Sequence, residues 1–364
     1  MPVTAPTEQV APVRRRPTFA ALRVAAVERL CDDAVAVTFA VPGELAGDYA
    51  FRPGQSLTLR RTVDGREERR SYSICAAPGA PLRIGVREVP DGVFSSWLVH
   101  RVRPGDEIEV ASPSGAFTPS RVDGHHVLVA AGSGITPVLS IAHAVLAGGG
   151  SATLLFGNRR SDTVMFVDEL ADLKDTHPAR LELVHVLSRE ARAVELHTGR
   201  LDPAKLRKML STVVPVDGVD GWWLCGPYEM VVGAREVLAA AGVPAERVHA
   251  ELFFVEDTPP EPARHVESTV DGPTSAVTIV LDGRRTELAL PRDTPVLDAA
   301  QRSRPDLPFA CKGGVCGTCR ARVTAGEVRM RRNFALEPSE VDAGFVLTCQ
   351  ALPVTDSVTV DYDS

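Results

Sequence analysis

From residue 17 to about 121 the apolar positions fall in short β-rich runs. "AVAVTFAVP", "SLTLRRTV", "LRIGVREV" and "EIEVASP" are separated by "RPGQ", "VDGR" and "RPGD", which have the composition of turns. Short strands at this spacing predict a closed or sandwiched antiparallel domain. From residue 122 to about 255 the pattern changes. The runs in "HVLVAAG", "ATLLFG", "LELVHVL" and "GWWLCG" alternate with helical stretches such as "VLSIAHAVLA", "DELADLKD" and "MVVGAREVLAAAG". That alternation predicts a parallel sheet buried on both faces. Residues 256–274 are rich in Pro and charge and read as a linker. From 275 to 364, "AVTIVLDGRRTELAL" predicts a hairpin turning at Asp282-Gly283. A short helix in "PVLDAAQRS", a cysteine-rich loop and closing strands follow.

A chain of 364 residues is long enough for two or three domains. Its 44% apolar and 24% charged residues are ordinary for a globular protein. The net charge of −7, with no basic face, gives no reason to expect a nucleic-acid partner. No apolar run approaches a membrane span. The first residues, "MPVTAPTEQVAPVRRRPTF", carry Arg14, Arg15 and Arg16 without an apolar core after them. They fail as a secretory signal. Residues 1–16 read as a disordered tail, and the expected location is the cytoplasm.

The seven cysteines divide unevenly. Cys31, Cys75 and Cys225 stand alone, while Cys311, Cys316, Cys319 and Cys349 follow C-x4-C-x2-C-x29-C. Thiolates suit zinc, copper(I) or iron–sulfur clusters. Structural zinc sites combine two short pairs, whereas here three ligands share a loop and the fourth arrives from a distant segment. That is the plant-type [2Fe–2S] spacing. Gly313, Gly314 and Gly317 let the backbone wrap tightly enough for N–H groups to reach sulfur. The plainer alternatives are buried free thiols or zinc, which would make the chain a zinc-stabilised interaction protein.

A cluster that stores one electron needs a donor. In "RRSYSIC", Arg70 and Ser73 flank Tyr72 on one strand, and Ser71 points to the other face. A guanidinium can fork a phosphate, a ring can lie on a flavin and a hydroxyl can reach a ring nitrogen. A random strand could carry the same string. "DGVFSSWL" places Gly92, Ser95 and Ser96 at the start of a helix, where a phosphate binds well; an ordinary helix cap is the alternative. "HVLVAAGSGITPVLSI" reads as strand, turn at Gly132-Ser133-Gly134, Thr136 as N-cap and Pro137 at the first helical position. This is the usual place for a dinucleotide pyrophosphate. At one strand end Ser188 and Arg189, with Arg159 or Arg160 nearby, suit a ribose 2′-phosphate rather than a diol; a solvated loop is the plain reading. At another strand end stand Cys225, Gly226 and Pro227, where a buried structural Cys is the bland alternative.

With these segments in order, the chain resembles the ferredoxin-NADP reductase superfamily, in its members with a C-terminal plant-type ferredoxin domain. The resemblance runs from about residue 18 to 364. It implies a multidomain fold: an antiparallel β-barrel for FAD (17–121), an α/β NAD(P)-binding domain (122–255) and a β-grasp ferredoxin domain (275–364). It further implies that Arg70 binds the FAD pyrophosphate, Tyr72 stacks on the isoalloxazine and Ser73 bonds near N5. Val86 and Val89 in "GVREV" would contact the ribityl and adenine part, with Gly92, Ser95 and Ser96 on the second phosphate. Gly132, Gly134, Thr136 and Pro137 match the nicotinamide-cofactor turn. Cys225, Gly226 and Pro227 match the segment beside the nicotinamide. Glu251 and Phe253 in "HAELFF" match the segment closing over both rings. Ser73, Cys225 and Glu251 are thereby the expected catalytic residues.

"FRPGQSLTLR", "FGNRRSDTVMF", "PFACKGGVCGTC" and "LEPSEVDAGFVLTCQALPVTDSVTVDYD" are similar to one subfamily, the reductases of phenylacetyl-CoA ring-epoxidase systems. The implied route runs from NADPH, with NADH as a weaker donor, through FAD and the cluster to a di-iron oxygenase. A Rieske-type aromatic or steroid oxygenase is the alternative acceptor.

Overall fold

The computed structural model of the chain describes residues 2–3, 19–63, 66–214, 216–253, 273–336 and 338–364. Two compact units emerge, residues 18–253 in one and residues 1–17 with 254–364 in the other. The expected tail lies outside the described residues except for Pro2–Val3, which pair antiparallel with Val328 and Arg329. The expected linker lies outside them as far as residue 272. Among the described residues no helix is long and apolar enough to cross a membrane.

The first half of the 18–253 unit is antiparallel. Its strands lie in the order Arg66–Ser73, Ser56–Val63, Glu107–Ala111, Phe19–Cys31, Ala34–Ala40 and Arg83–Arg87. A bridge between Ile74 and Ile84 joins the two outer strands, closing the sheet into a barrel around Leu22, Val37, Leu57, Ile84 and Val110. Phe19–Cys31 is a long strand that the sequence pattern hides. Register shifts at Val24/Ala26 and Arg29/Cys31 interrupt its alternation of buried and exposed positions. Helix Val93–His100 seals the barrel with Phe94 and Leu98.

The second half is the expected parallel sheet. Its order is Leu181–Leu187, Ser151–Asn158, His125–Ala131, Gly221–Cys225 and Val248–Glu251, with parallel pairing throughout. The first strand in sequence, His125–Ala131, therefore lies between the second and the fourth. The order reverses there, and the carboxyl ends at such a reversal are where sheets of this kind bind ligands. Helix Pro203–Thr212 is not among the elements expected from the apolar pattern, although its start signals are present. Asp202 accepts a hydrogen bond from Lys205 N at 2.8 Å, and Pro203 opens the helix.

The two halves share a packed seam. A Cβ on Gly85 would stand 2.5 Å from Thr136 Cγ2 and 2.9 Å from Phe166 Cζ. Arg83 donates to both carboxylate oxygens of Glu169 at 2.7 Å, and His143 Nε2 lies 2.9 Å from the same group. These contacts set the barrel strand Arg83–Arg87 against the open end of the parallel sheet.

The C-terminal unit is a β-grasp. Strands Arg284–Pro291, Thr274–Leu281, Ser357–Asp361, Arg320–Ala325 and Phe345–Leu347 form one sheet, and Thr274–Leu281 runs parallel to Ser357–Asp361. Helix Val296–Ala300 packs Val296, Leu297 and Ala300 into its core. The hairpin turns where predicted, with φ of +54° at Asp282 and +66° at Gly283, the left-handed pair of a type I′ turn.

Candidate redox sites

The residues expected to hold the flavin lie on the barrel's edge. Arg70 and Tyr72 belong to strand Arg66–Ser73, where Arg70 is paired with Glu68 at 2.9 Å and Tyr72 sits 6.2 Å from the Phe94 ring centroid. Val86 is fully buried in the barrel core, while Val89 is exposed at the mouth of the next loop. The start of helix Val93–His100 lacks a side-chain cap, so its first N–H groups can receive an anion. Ser95 Oγ accepts from Val89 N and donates to Gly92 O, both at 3.1 Å, and Ser96 Oγ donates to Glu88 at 2.7 Å. A Cβ on Gly92 would meet Ser95 Oγ at 2.5 Å. The loop is a cradle that only glycine leaves open, and this fits an FAD phosphate.

At the carboxyl end of strand His125–Ala131, Gly132–Gly134 forms a 3-10 turn with Gly132 at φ +55°, leading into helix Ile135–Ala147. The helix therefore begins before Thr136, which is not its N-cap. Thr136 Oγ1 donates to Ser133 O at 3.0 Å, and Pro137 sits inside the first turn. The glycine turn already winds helically, which leaves no extended position for a capping side chain. Gly134 packs against the neighbouring strand end, where a Cβ would lie 2.1 Å from Cys225 O. Gly226 packs likewise on Ala131, and Pro227 precedes helix Tyr228–Ala240. The two ends of the switch point are thus in direct backbone contact.

Ser73, Cys225 and Glu251 come together here. Ser73 Oγ donates to Glu251 Oε2 at 3.1 Å, and Glu251 is the sheet partner of Cys225. Burial pushes the Glu251 carboxyl up to about 7, against the opposing pull of the Ser73 hydrogen bond. Burial, reinforced by Glu251, pushes the Cys225 thiol well above its ordinary value. Phe253 follows, half-buried and packed against the core that includes Trp223 and Cys225.

At the far strand ends, Ser188 N and Oγ donate to Asn158 O at 2.9 and 3.2 Å, and Arg189 N donates to Arg159 O at 2.8 Å. The backbone contact sets Arg159 and Arg189 side by side, both exposed. Arg160 instead pairs with Asp162 at 3.1 Å. Two residues that sequence reasoning misses belong to this region. Asn158 is buried with neither side-chain polar atom bonded, an orphan amide that fits a polar cofactor. Arg87 Nη1 reaches 3.3 Å from where a Gly132 side chain would begin. The only signal for Arg87 is a lone cation ending an apolar strand, which carries no meaning until the strand is seen to end beside Gly132.

In the C-terminal unit the four cysteine thiols fall two and two: the neighbour that acts most strongly on Cys311 is Cys316, and the one that acts most strongly on Cys319 is Cys349. Cys311 is drawn down to about 6, chiefly by the bond from Cys316. Gly313 N donates to Cys311 Sγ at 3.3 Å and Cys311 N to Cys316 Sγ at 3.5 Å. Left-handed backbone at Lys312, Gly314 and Gly317 turns these donors inward. Thr348 N and Oγ1 donate to Cys319 O at 3.1 and 2.9 Å, which fixes Cys319 beside Cys349. Among the described residues no three His, Cys, Asp or Glu converge on one point as ligands of a single ion. Two thiol pairs with inward N–H groups fit a two-iron cluster, in which each iron takes two protein thiolates.

Comparison with known proteins agrees with each module. Residues 21–118 match the oxidoreductase FAD-binding domain family, 128–236 the oxidoreductase NAD-binding domain and 279–354 the 2Fe-2S iron-sulfur cluster binding domain. The chain is 42% identical over 355 residues to one subunit of the 1,2-phenylacetyl-CoA epoxidase of Escherichia coli (strain K12), covering 95% of this chain and 98% of that one. It is 36% identical over 354 residues to the ferredoxin reductase component of the 3-ketosteroid-9-alpha-monooxygenase of Mycobacterium tuberculosis, covering 94% and 95%. Among solved structures, phthalate dioxygenase reductase matches with a TM-score of 0.58 at 22% identity, covering 94% and 98%. FAD, a nicotinamide cofactor and a [2Fe–2S] cluster are therefore its cofactors, and its chemistry is that of an NAD(P)H-dependent oxidoreductase. The chain belongs to the ferredoxin-NADP reductase superfamily, in the group that carries a C-terminal [2Fe–2S] domain.

Proposed function

We propose that this chain draws electron pairs from NADPH and delivers them singly to the di-iron oxygenase of a phenylacetyl-CoA epoxidase system, in the cytoplasm. The observation that carries this reading is the near-full-length relation to one component of such an epoxidase. Bound FAD supplies the conversion between a hydride's two electrons and the single electrons an iron centre accepts.

The chain's own residues bind, orient and hold protons. Arg70 and the uncapped helix start at Gly92 would hold the two flavin phosphates, and Tyr72 would stack on the ring. The Gly132–Gly134 turn and Arg87 would receive the nicotinamide pyrophosphate. Ser188, Arg189 and Arg159 receive the ribose 2′-phosphate, which favours NADPH over NADH. Ser73 and Glu251 hold a proton at Glu251 Oε2 close to neutral pH, where it would be available to the flavin and nicotinamide. Cys311, Cys316, Cys319 and Cys349 hold the cluster.

The test is anaerobic reduction followed by coupled turnover. Flavin and iron–sulfur bands should bleach at lower NADPH than NADH, and the reduced protein should support epoxidation of phenylacetyl-CoA by the purified oxygenase. A protein that bleaches with NADPH but drives only a Rieske-type oxygenase would replace this reading with the second one. That second reading rests on the 36% relation to the 3-ketosteroid-9-alpha-monooxygenase reductase component.

A further inference from the structure

The cluster loop is gripped by a side chain outside the cysteine motif. Gln350 follows Cys349 and is 4% exposed. Its Nε2 donates to Lys312 O at 2.8 Å and lies 3.5 Å from Cys349 Sγ. A backbone carbonyl can only accept, so the amino end of the amide must face it. One N–H then goes to the loop and the second is free to aim at the sulfur. Its Cγ packs on Gly314, standing 3.1 Å from where a Cβ there would lie, so only a glycine lets the side chain come this close to the loop. The backbone carbonyl of Gln350 accepts from Arg331 N at 2.9 Å.

Lys312, at the other end of the contact, holds a left-handed φ of +54°, a costly conformation for a residue with a Cβ. Lys312 Nζ is tied down as well, to Asp298 at 2.8 Å and Gln301 at 2.7 Å. The loop between Cys311 and Cys316 is thus fixed from both sides, and one of the fixing groups also touches a cluster sulfur.

A hydrogen bond to a thiolate ligand withdraws negative charge from the cluster and favours its reduced, more negative state. We propose that Gln350 is a positioning residue that raises the reduction potential of the [2Fe–2S] cluster, donating Nε2–H to Cys349 Sγ while holding Lys312 in its left-handed turn. The inference rests on the four cysteines being the cluster ligands.

The test uses the full chain with its flavin and cluster in place. Gln350→Met keeps the length and volume of the side chain and removes the donor. A redox titration followed by EPR reads the cluster, and the flavin potential serves as internal reference. The cluster's electron-acceptance equilibrium should fall at least tenfold, about 59 mV for a one-electron couple, with displaced g-values and an unchanged flavin. Should Gln350→Met fail to hold its cluster, Gln350→Leu gives the reading. An unchanged cluster potential overturns the proposal. Loss of the cluster from both variants also overturns it, since Gln350 would then be a structural clamp alone. A wild-type chain without a [2Fe–2S] EPR signal would instead overturn the ligand assignment, which separates the two failures.

Discussion

Glu251 is a carboxyl that does not behave as one at neutral pH. In the folded chain it holds its proton up to about 7, against an ordinary value of 4.5. Between those two values the folded chain binds a proton that the unfolded chain has released. Stability from this group is therefore full below pH 4.5 and declines as pH rises toward 7, then stays level. Glu251→Gln keeps the shape and the partner Ser73 but cannot titrate. Its thermal stability relative to wild type should improve between about pH 5 and about pH 8 by something on the order of 2 kcal/mol, after discounting for partial exposure. A constant difference across that range would show that Glu251 is ionised throughout. The cysteines, Arg70 and Tyr72 could be proposed from the sequence because the chemistry expected of them travels with a local spacing. Arg87, Asn158 and Gln350 could not. Each is placed by a position far away in the chain: Arg87 beside Gly132, the Asn158 backbone by Ser188 and Gln350 by Lys312, and no local pattern announces such a contact.

The strand, glycine turn and helix around Gly132 show how far local signals reach at the scale of an element. The strand and helix are readable from their apolar periods, but the same signals put the cap wrongly at Thr136. A 3-10 turn of glycines does the capping residue's work, and only the packing explains why. Gly134 touches the carbonyl of Cys225, with backbone on both sides, so neither can yield. Gly134→Ala should force the turn away from strand Gly221–Cys225, costing roughly 1–3 kcal/mol or more of stability. NADPH affinity should fall with it, and flavin content should survive because the barrel is untouched. Gly43→Ala is the control, since nothing lies within 4 Å of its Cβ position. Equal melting temperatures and equal KM for NADPH in the two variants would mean that the contact is loose.

The division into segments of different periodicity is visible along the chain, yet the flavin and nucleotide segments form one unit rather than two. The reason lies in pairs that sequence cannot align. Arg83 meets Glu169, Gly85 meets Thr136, and Ser140 donates to Ala76 O at 2.7 Å. A seam of half-buried ion pairs and close packing makes unfolding cooperative, so the barrel and the parallel sheet should melt together. The β-grasp unit has its own core and should melt apart from them. Calorimetry of the loaded chain should show two transitions, and Arg83→Ala should lower only the one that releases FAD. Ending the chain at Phe253 carries the same logic to function. The fragment should keep FAD and reduce it with NADPH at the full-length rate, because Ser73, Cys225, Glu251 and the carboxyl ends of the parallel sheet all lie within it. It should lose all delivery of single electrons to an oxygenase, because the 2Fe-2S domain of residues 279–354 is gone. A fragment that cannot retain FAD would mean that residues 18–253 do not hold the flavin site together by themselves.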